Sequence, residues 1–496
     1  MAKSAAGSAL KVMLLSLLVL ACSGPKVEQT VRVSAEVIRD KIKGGWVGQT
    51  VGVCYGGPTE FRWPGTWIQD YASIDFNEKN VLDYFNNDDL YMDLSFLAVL
   101  DSLGLDAPTE AMARKFATAG FNLWHANQAG RWNILHGVMP PASGYWKNNP
   151  HADDIDFQIE ADFIGLLCPG MPATALDYCN KVGHIMNYGD GVYGGLFVAA
   201  MYSHAFVDSN IVQVVEKALQ SLPPSSAYAR CISDVIGWWR AYPDDWHRTW
   251  FELEKKWGEE IGCPGCVMRP GNIDAKMNGA YVTIGLLYGN MDFGRTMEIA
   301  TRCGQDSDCN PSNAAGILGT LLGFKKIPSQ WTPGLDKIED RKFDHCNYSL
   351  KEVYEVNYRL AGELVRRGGG SAEGDTWVIK RQKPVAPEKV EVGFEGLTPD
   401  KVVDLGEQKV EDSFSVDFKG RAFVVEGTLS RNEGEAVCRV LVDGKLIEEV
   451  TLSDNFHDRR DPLFWNYDLA PGSHSLEIKK VSGKGVPRLE SLVIYR

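Results

Sequence analysis

From about Ala35 to Arg367, apolar positions recur with the roughly 3.6-residue period of amphipathic helices, and after Arg367 that period disappears. Leu94, Phe96, Leu97 and Leu100 mark one such helix, and Ala280, Ile284 and Leu287 mark another. Further helices are expected around Phe157 to Leu167, Ile211 to Leu222 and Asn313 to Leu322. A flexible break follows at Gly368-Gly369-Gly370-Ser371-Ala372-Glu373-Gly374, and Pro384 and Pro387 interrupt the stretch after it. Beyond these lie short alternating runs such as Ala422 to Glu426 and Cys438 to Val442, separated by turns such as Asp443-Gly444 and Pro471-Gly472. The expected architecture is a mainly all-α domain over 35–367, a linker over 368–392, and a small all-β sandwich over 393–496. The sandwich reads as an accessory module outside the catalytic pocket. No internal repeat of fixed period is present.

The first residues read as an address. Lys3 and Lys11 precede the apolar run Val12 to Leu20, which is too short to span a bilayer and ends in Ala21, Cys22, Ser23 and Gly24. The Val-Leu-Ala-Cys ending resembles a bacterial lipoprotein box. It implies a signal peptide over 1–21, a lipid on Cys22, a tether over 22–34 and a place in the bacterial cell envelope. An ordinary cleaved signal with an incidental Cys22 is the alternative.

Composition narrows the remainder. The 496 residues allow about three domains, or one large helical domain with an accessory module. A net charge of −14 without basic runs argues against a nucleic-acid duplex as partner. Beyond Cys22, ten of the 11 cysteines remain, and they are scattered without a disulfide framework. Cys263-Pro-Gly-Cys266 lacks the second pair of a zinc site, so it reads as a loop turn, with a local disulfide as the alternative.

Carboxylates gather in two distant places. Asn87-Asp88-Asp89 precedes the helical pattern that starts near Leu90, where an N-cap and helix-dipole acids are expected on structural grounds alone. Gly304-Gln305-Asp306-Ser307-Asp308-Cys309-Asn310 lies between two helical stretches. Acids two apart in a turn can place several oxygen ligands around one hard cation. Polar candidates for a cleft wall are His125, Asn127, Arg131, Asn133, His184 and Asn187, together with the Gly189-Asp190-Gly191 turn.

The order Lys43-Gly44-Gly45-Trp46-Val47-Gly48-Gln49, Gly57-Pro58-Thr59-Glu60-Phe61, Asn87-Asp88-Asp89-Leu90-Tyr91-Met92 and Asp306-Ser307-Asp308 resembles the ADP-ribosylglycohydrolase family. Ile155 to Asp162 and Gly189 to Gly195 fit the same pattern, so the resemblance covers roughly residues 35 to 365. It implies an all-helical fold with a magnesium centre, usually binuclear, at the bottom of a cleft for an ADP-ribose unit. The family's Thr-Asp-Asp motif falls on Asn87, Asp88 and Asp89, and its Asp-x-Asp-Thr motif on Asp306 to Cys309. Metal ligation is thereby implied for Asn87, Asp88, Asp89, Asp306 and Asp308, with Asp308 bridging two ions. Cys309 offers sulfur where Mg²⁺ prefers oxygen, which puts the second ion in doubt. Glu60, Asp88 and Asp89 take the catalytic roles, and Asn127, His184, Asp190 and Gly191 the substrate contacts.

The resulting expectation is a Mg²⁺-dependent glycohydrolase acting on an N- or O-glycosidic bond of an ADP-ribosyl or related glycoside, with one or two ions. A glycan or nucleoside hydrolase of the same fold, or a non-catalytic saccharide-binding surface lipoprotein, stands as the alternative. No Gly-x-Ser-x-Gly or His-Glu-x-x-His motif is present, and no nucleophile constellation supports a peptidase or sulfatase.

Overall fold

The computed structural model describes residues 30–258, 262–269 and 273–496. The expected signal peptide, Cys22 and most of the tether lie outside the described residues. The helical part runs from Ala35–Gly56 to Leu350–Arg367. Ser34 caps the first of these helices by accepting the Val37 amide at 3.2 Å, and a Ser349/Glu352 capping box opens the last.

Glycines spaced four apart decide how the core packs. Gly44, Gly48, Gly52 and Gly56 line one face of Ala35–Gly56, and a Cβ on each would lie 2.1–2.3 Å from a backbone oxygen of Gly319, Ala315, Pro311 or Ser307. The helix Cys309–Leu322 therefore rests on the first helix at backbone distance, and its N-terminal loop is carried to the end of that helix. The expected single helix over Phe157 to Leu167 is instead two short ones, Asp156–Ile159 and Asp162–Leu167. The break lets Glu160 and Asp162 reach different buried partners, Asn127 for the first and Tyr202 and Asn313 for the second. The helix from Ile211 ends at Leu219, ahead of Pro223 and Pro224.

The segments expected as tether and linker are docked. Strand β1 (Thr30–Ser34) pairs antiparallel with β2 (Thr376–Lys380), with Thr30 opposite Lys380 and Ser34 opposite Thr376. The cause is apolar. Trp377 and Ile379 are buried in the helical core, and the Trp377 indole donates to the Tyr358 hydroxyl at 3.2 Å.

The remaining strands are β3 (Pro399–Lys409), β4 (Ser413–Gly420), β5 (Ala422–Leu429), β6 (Ala436–Val442), β7 (Lys445–Leu452), β8 (Phe464–Asn466), β9 (Gly472–Gly483) and β10 (Pro487–Tyr495). They form two antiparallel sheets in the orders β3-β10-β5-β8 and β4-β9-β6-β7, which make a sandwich-like unit. This unit does not stand apart from the helices as an accessory module would. Phe423, Val425, Leu492 and Ile494 face the sandwich interior, while the alternate residues Ala422, Val424, Val493 and Tyr495 join Trp146, Ala152 and Val267 of the helical part. Strands buried on both faces read as continuous apolar runs, as Ala422 to Val425 and Leu492 to Tyr495 do. Cys263 and Cys266 are buried free thiols, the first capping and the second closing the short turn Pro264–Cys266.

Candidate active site

Two chain segments 221 residues apart in sequence meet at one cavity. Asn87 caps the helix Asp88–Leu103 by accepting the Asp89 amide at 3.2 Å, while its Nδ2 donates to Asp308 at 3.4 Å. Its oxygen caps the helix, its amide nitrogen braces Asp308, and the residue lines the cavity. Asp88 and Asp89 occupy the first turn, where the helix dipole favours negative charge.

The Asp306–Asp308 turn is held from the other side. Gly304 (φ +82°) carries no Cβ, which would otherwise sit 2.3 Å from the Thr66 oxygen. The Gln305 carbonyl accepts from the Phe61 amide at 3.4 Å, and the Thr59 and Ser307 hydroxyls bond at 2.8 Å. These contacts set Glu60 beside Asp306 and Asp308.

Within the resulting site, one ligand atom each from Glu60, Asp306 and Asp308 lies within 4.8 Å of the other two. Asp89, Asp308 and Cys309 form a second such group, so Asp308 belongs to both. Burial, with neighbouring carboxylates adding to it, pushes Glu60 up to about 8 and raises Asp306 and Asp89 well above the usual carboxylate range. Burial and Asp308 push Asp88 up to about 6. The fully buried Asp89 carboxylate has no nitrogen or oxygen hydrogen-bond partner among the described residues, and the Cys309 thiol is its neighbour. A buried carboxylate among like charges, without a cationic partner, fits a cation. The group of three carboxylates suits a hard ion. The group containing the Cys309 thiol is softer, as expected from the sequence.

The cavity above these acids measures about 440 Å³ and is lined by Glu60, Asp88, Asp306 and Cys309 on one side. Asn127, His125 and Asp156 form the other wall, with Phe61, Tyr91 and Trp124 as aromatic lining. Asp156 caps the helix His125–Leu135 through the Asn127 amide at 2.9 Å and the Ala126 amide at 3.3 Å. Behind them lies a layer of buried acids. Asp93 accepts from Gln49 at 3.0 Å and from the Phe163 amide at 3.2 Å, and Asp162 accepts from Asn313 at 2.8 Å.

The family model for ADP-ribosylglycohydrolase matches residues 34–369, more than half of the chain. The chain belongs to the ADP-ribosylglycohydrolase family. Membership supports a glycohydrolase-type function. A solved structure described as an ADP-ribosylglycohydrolase-related protein complex is similar at 14% identity and a TM-score of 0.47, over 66% of this chain and 98% of that one. A 4-O-methyl-α-glucuronidase with specificity for decorated arabinogalactans aligns at 11% identity and a TM-score of 0.17, over 66% of this chain and 41% of that one. At these scores neither likeness bears on activity. No curated protein sequence matches the chain.

Against the family pattern, Glu60, Asp88, Asp306 and Asn127 line the one cavity, with Asp89 and Asp308 buried next to it. His184 does not reach it. Its Nδ1 bonds the Asn180 oxygen at 2.8 Å and its Nε2 meets Glu391 at 3.1 Å, in a separate surface groove beside Tyr145 and Tyr188. Asp190 accepts from the Tyr228 amide at 3.2 Å and lines another cavity with Asp153, Lys276 and Arg230. Gly191 is a packing position, since a Cβ there would lie 2.3 Å from the Ala152 oxygen. Asn187, Arg131 and Asn133 spend their polar atoms on backbone carbonyls and amides, which makes them struts of the wall.

Tyr91, Trp124, Asp156 and Glu160 carry no motif that marks them singly. A visible signal was the run of acids at 153, 154, 156, 160 and 162 within an otherwise apolar segment.

Proposed function

We propose that this chain hydrolyses an N- or O-glycosidic bond of an ADP-ribosyl or related glycoside with the aid of Mg²⁺. The observation that carries the reading is the meeting of Glu60, Asp306 and Asp308 with the buried Asp89 beside one aromatic-lined cavity. Asp88, Asp89, Asp306 and Asp308 would hold the cation, with Asp308 shared between two positions. When bound, Mg²⁺ supplies charge neutralisation and a fixed centre for sugar hydroxyls and water.

The chain's own residues do the rest. Glu60 lines the cavity beside Asp306 and Asp308 and is the base that takes the proton from the attacking water. Asn127 lines the cavity beside the acids and is the polar side chain assigned to a substrate hydroxyl. Phe61, Tyr91 and Trp124 present ring faces and edges to the sugar or base and exclude water around the scissile bond. By its leader pattern the mature protein is proposed to sit in the cell envelope, lipid-anchored through Cys22.

The test is turnover of ADP-ribosyl compounds, nucleosides and oligosaccharides by the purified chain with Mg²⁺ or EDTA. Release of a reducing sugar that EDTA abolishes and Glu60→Gln suppresses is expected. Ligand binding without release across the panel would overturn the hydrolase reading and leave a saccharide-binding protein. Mass spectrometry of the native N-terminus tests the lipid on Cys22.

A further inference from the structure

The same cavity carries a second group of different chemistry. His125 lines the cavity and is partly exposed to it, while His151 and Asp154 are buried behind. One ligand atom from each lies within 4.8 Å of the other two. The His151 Nδ1 and Asp154 Oδ2 are 2.7 Å apart, and the His125 and His151 rings meet edge to face with centroids 5.5 Å apart. Asp154 Oδ1 has no nitrogen or oxygen partner among the described residues, and the Cys263 thiol is its neighbour.

His125 is held there by its backbone. Its φ of +45° lies in the positive region, which among residues other than glycine histidine shares with asparagine and aspartate. The next two amides, of Ala126 and Asn127, are tied to Asp156, and this directs the ring toward His151.

We propose that His125, His151 and Asp154 form a second metal site in this cleft, selective for a borderline divalent cation of the zinc class. Two imidazoles and one carboxylate are the donors of a three-ligand zinc site with an open fourth position. Magnesium, which requires oxygen ligands, has no reason to choose this set. The cavity gives the ion its entry path and the open position its outlook. The acidic group in the same cavity keeps the hard cation, so the two groups sort ions by ligand type. The inference stands independently of the proposed hydrolysis.

The experiment is titration of the metal-stripped full chain with Co²⁺ and Zn²⁺ in excess Mg²⁺. Cobalt in a nitrogen-oxygen site of low coordination number gives visible d–d absorption. One equivalent with that signature is expected, displaced by Zn²⁺. His125→Asn, chosen because asparagine tolerates positive φ, and His151→Gln should each weaken Zn²⁺ by at least about 100-fold, more than loss of an outer partner does. Asp308→Ala should leave the absorption in place. The proposal is overturned if Co²⁺ gives no such absorption, or if the absorption persists in both histidine variants. Circular dichroism identifies a variant that fails to fold, and the other variant then decides. Loss of hydrolysis with the cobalt signature intact would count against the proposed function alone.

Discussion

Asn87 donates its side-chain amide to Asp308 at 3.4 Å while its carbonyl oxygen caps the helix that carries Asp88 and Asp89. One side chain therefore couples helix stability to the position of the shared carboxylate. Asn87→Ala should lower stability by about 1 kcal/mol from the lost cap. It should also weaken Mg²⁺ binding, because Asp308 loses its orienting donor. Asn87→Thr should restore the cap and not the brace. Chemical denaturation and isothermal titration with Mg²⁺ separate the two effects, and unchanged Mg²⁺ affinity in Asn87→Ala would contradict the brace.

The glycine face of the first helix sets how close the Asp306–Asp308 turn comes to Glu60. Gly52→Ala would place a Cβ 2.3 Å from the Pro311 oxygen, a backbone atom that cannot yield without moving the helix behind Asp308. The expected loss is about 3 kcal/mol, at the upper end of ordinary overpacking. Gly237, inside Ala227–Ala241, has nothing within 4 Å of its missing Cβ. Gly237→Ala should therefore stabilise by about 0.5–1 kcal/mol. Thermal melts of the pair are the check, and similar melting temperatures would refute the packing account.

Arg459 of the sandwich donates to the Leu123 oxygen at 2.7 Å and to Gln128 at 3.2 Å, and Gln128 returns a bond to the Arg459 oxygen at 2.7 Å. Phe456 meets Trp124 edge-on. The sandwich thus braces the cavity wall without lining it. Arg459→Ala should raise KM by about tenfold with little change in kcat, as expected for roughly 1.5 kcal/mol of lost positioning. Deleting everything beyond Ala386 should do more. Trp146 and Val267 would be uncovered, so the helical part alone should melt earlier and aggregate. Sedimentation and melting of the truncated chain test this, and a soluble fragment with full turnover would show the brace to be dispensable.

How much of this could be read beforehand depended on residue type. Asp88, Asp89, Asp306 and Asp308 were legible through the ordered motifs that resemble the family, since each acidic group alone also suits a helix cap or a turn. Asp93, Glu160 and Asp162 were not, since each is satisfied by a partner distant in sequence, Gln49, Asn127 and Asn313 among them. His184 and Asp190 looked like cleft residues from composition alone. Their helices turn them to other surfaces, where Glu391 and the Tyr228 amide take them up. The linker was read from its glycines, and its docking depended instead on Trp377 and Ile379. The change of period after Arg367 was fully legible, but the second buried face of β5 required noticing that Ala422 to Val425 does not alternate.

Asp208 ties the docked linker to the helices. Arg381 reaches both of its oxygens at 2.7 Å, and Lys217 reaches Oδ1 at 2.6 Å. Burial alone would raise Asp208, but the contacts from His204, Lys217 and Arg381 outweigh it and hold the carboxyl well below the usual range. A depressed carboxylate stabilises the fold above its unfolded value, near pH 4, and loses that contribution as pH falls. Asp208→Asn should cost about 2 kcal/mol at pH 7, the scale of lost charge-assisted bonds. It should cost far less near pH 2. A cost independent of pH would mean that the carboxylate charge contributes nothing.

Asp308 offers the most decisive substitution. It belongs to both donor groups, the one with Glu60 and Asp306 and the one with Asp89 and Cys309. Asp308→Ala removes an oxygen from each at once, so Mg²⁺ affinity should fall further than on removal of any single neighbour. Turnover should fall by about 10³-fold or more, because orientation and charge stabilisation are lost together. Metal-free stability should move the other way. The buried carboxylates of Asp88, Asp89 and Asp306 repel Asp308, and deleting one of four like charges relieves the rest. Cys309→Thr is the complementary change, replacing the one sulfur with a hydroxyl oxygen. It should tighten Mg²⁺ at the position shared with Asp89 and leave the group around Glu60 unaltered. Calorimetric titration with Mg²⁺ and melting with and without EDTA read both variants. Wild-type affinity in Asp308→Ala would remove the shared-ligand role, and with it the argument that these two acidic segments form one metal centre.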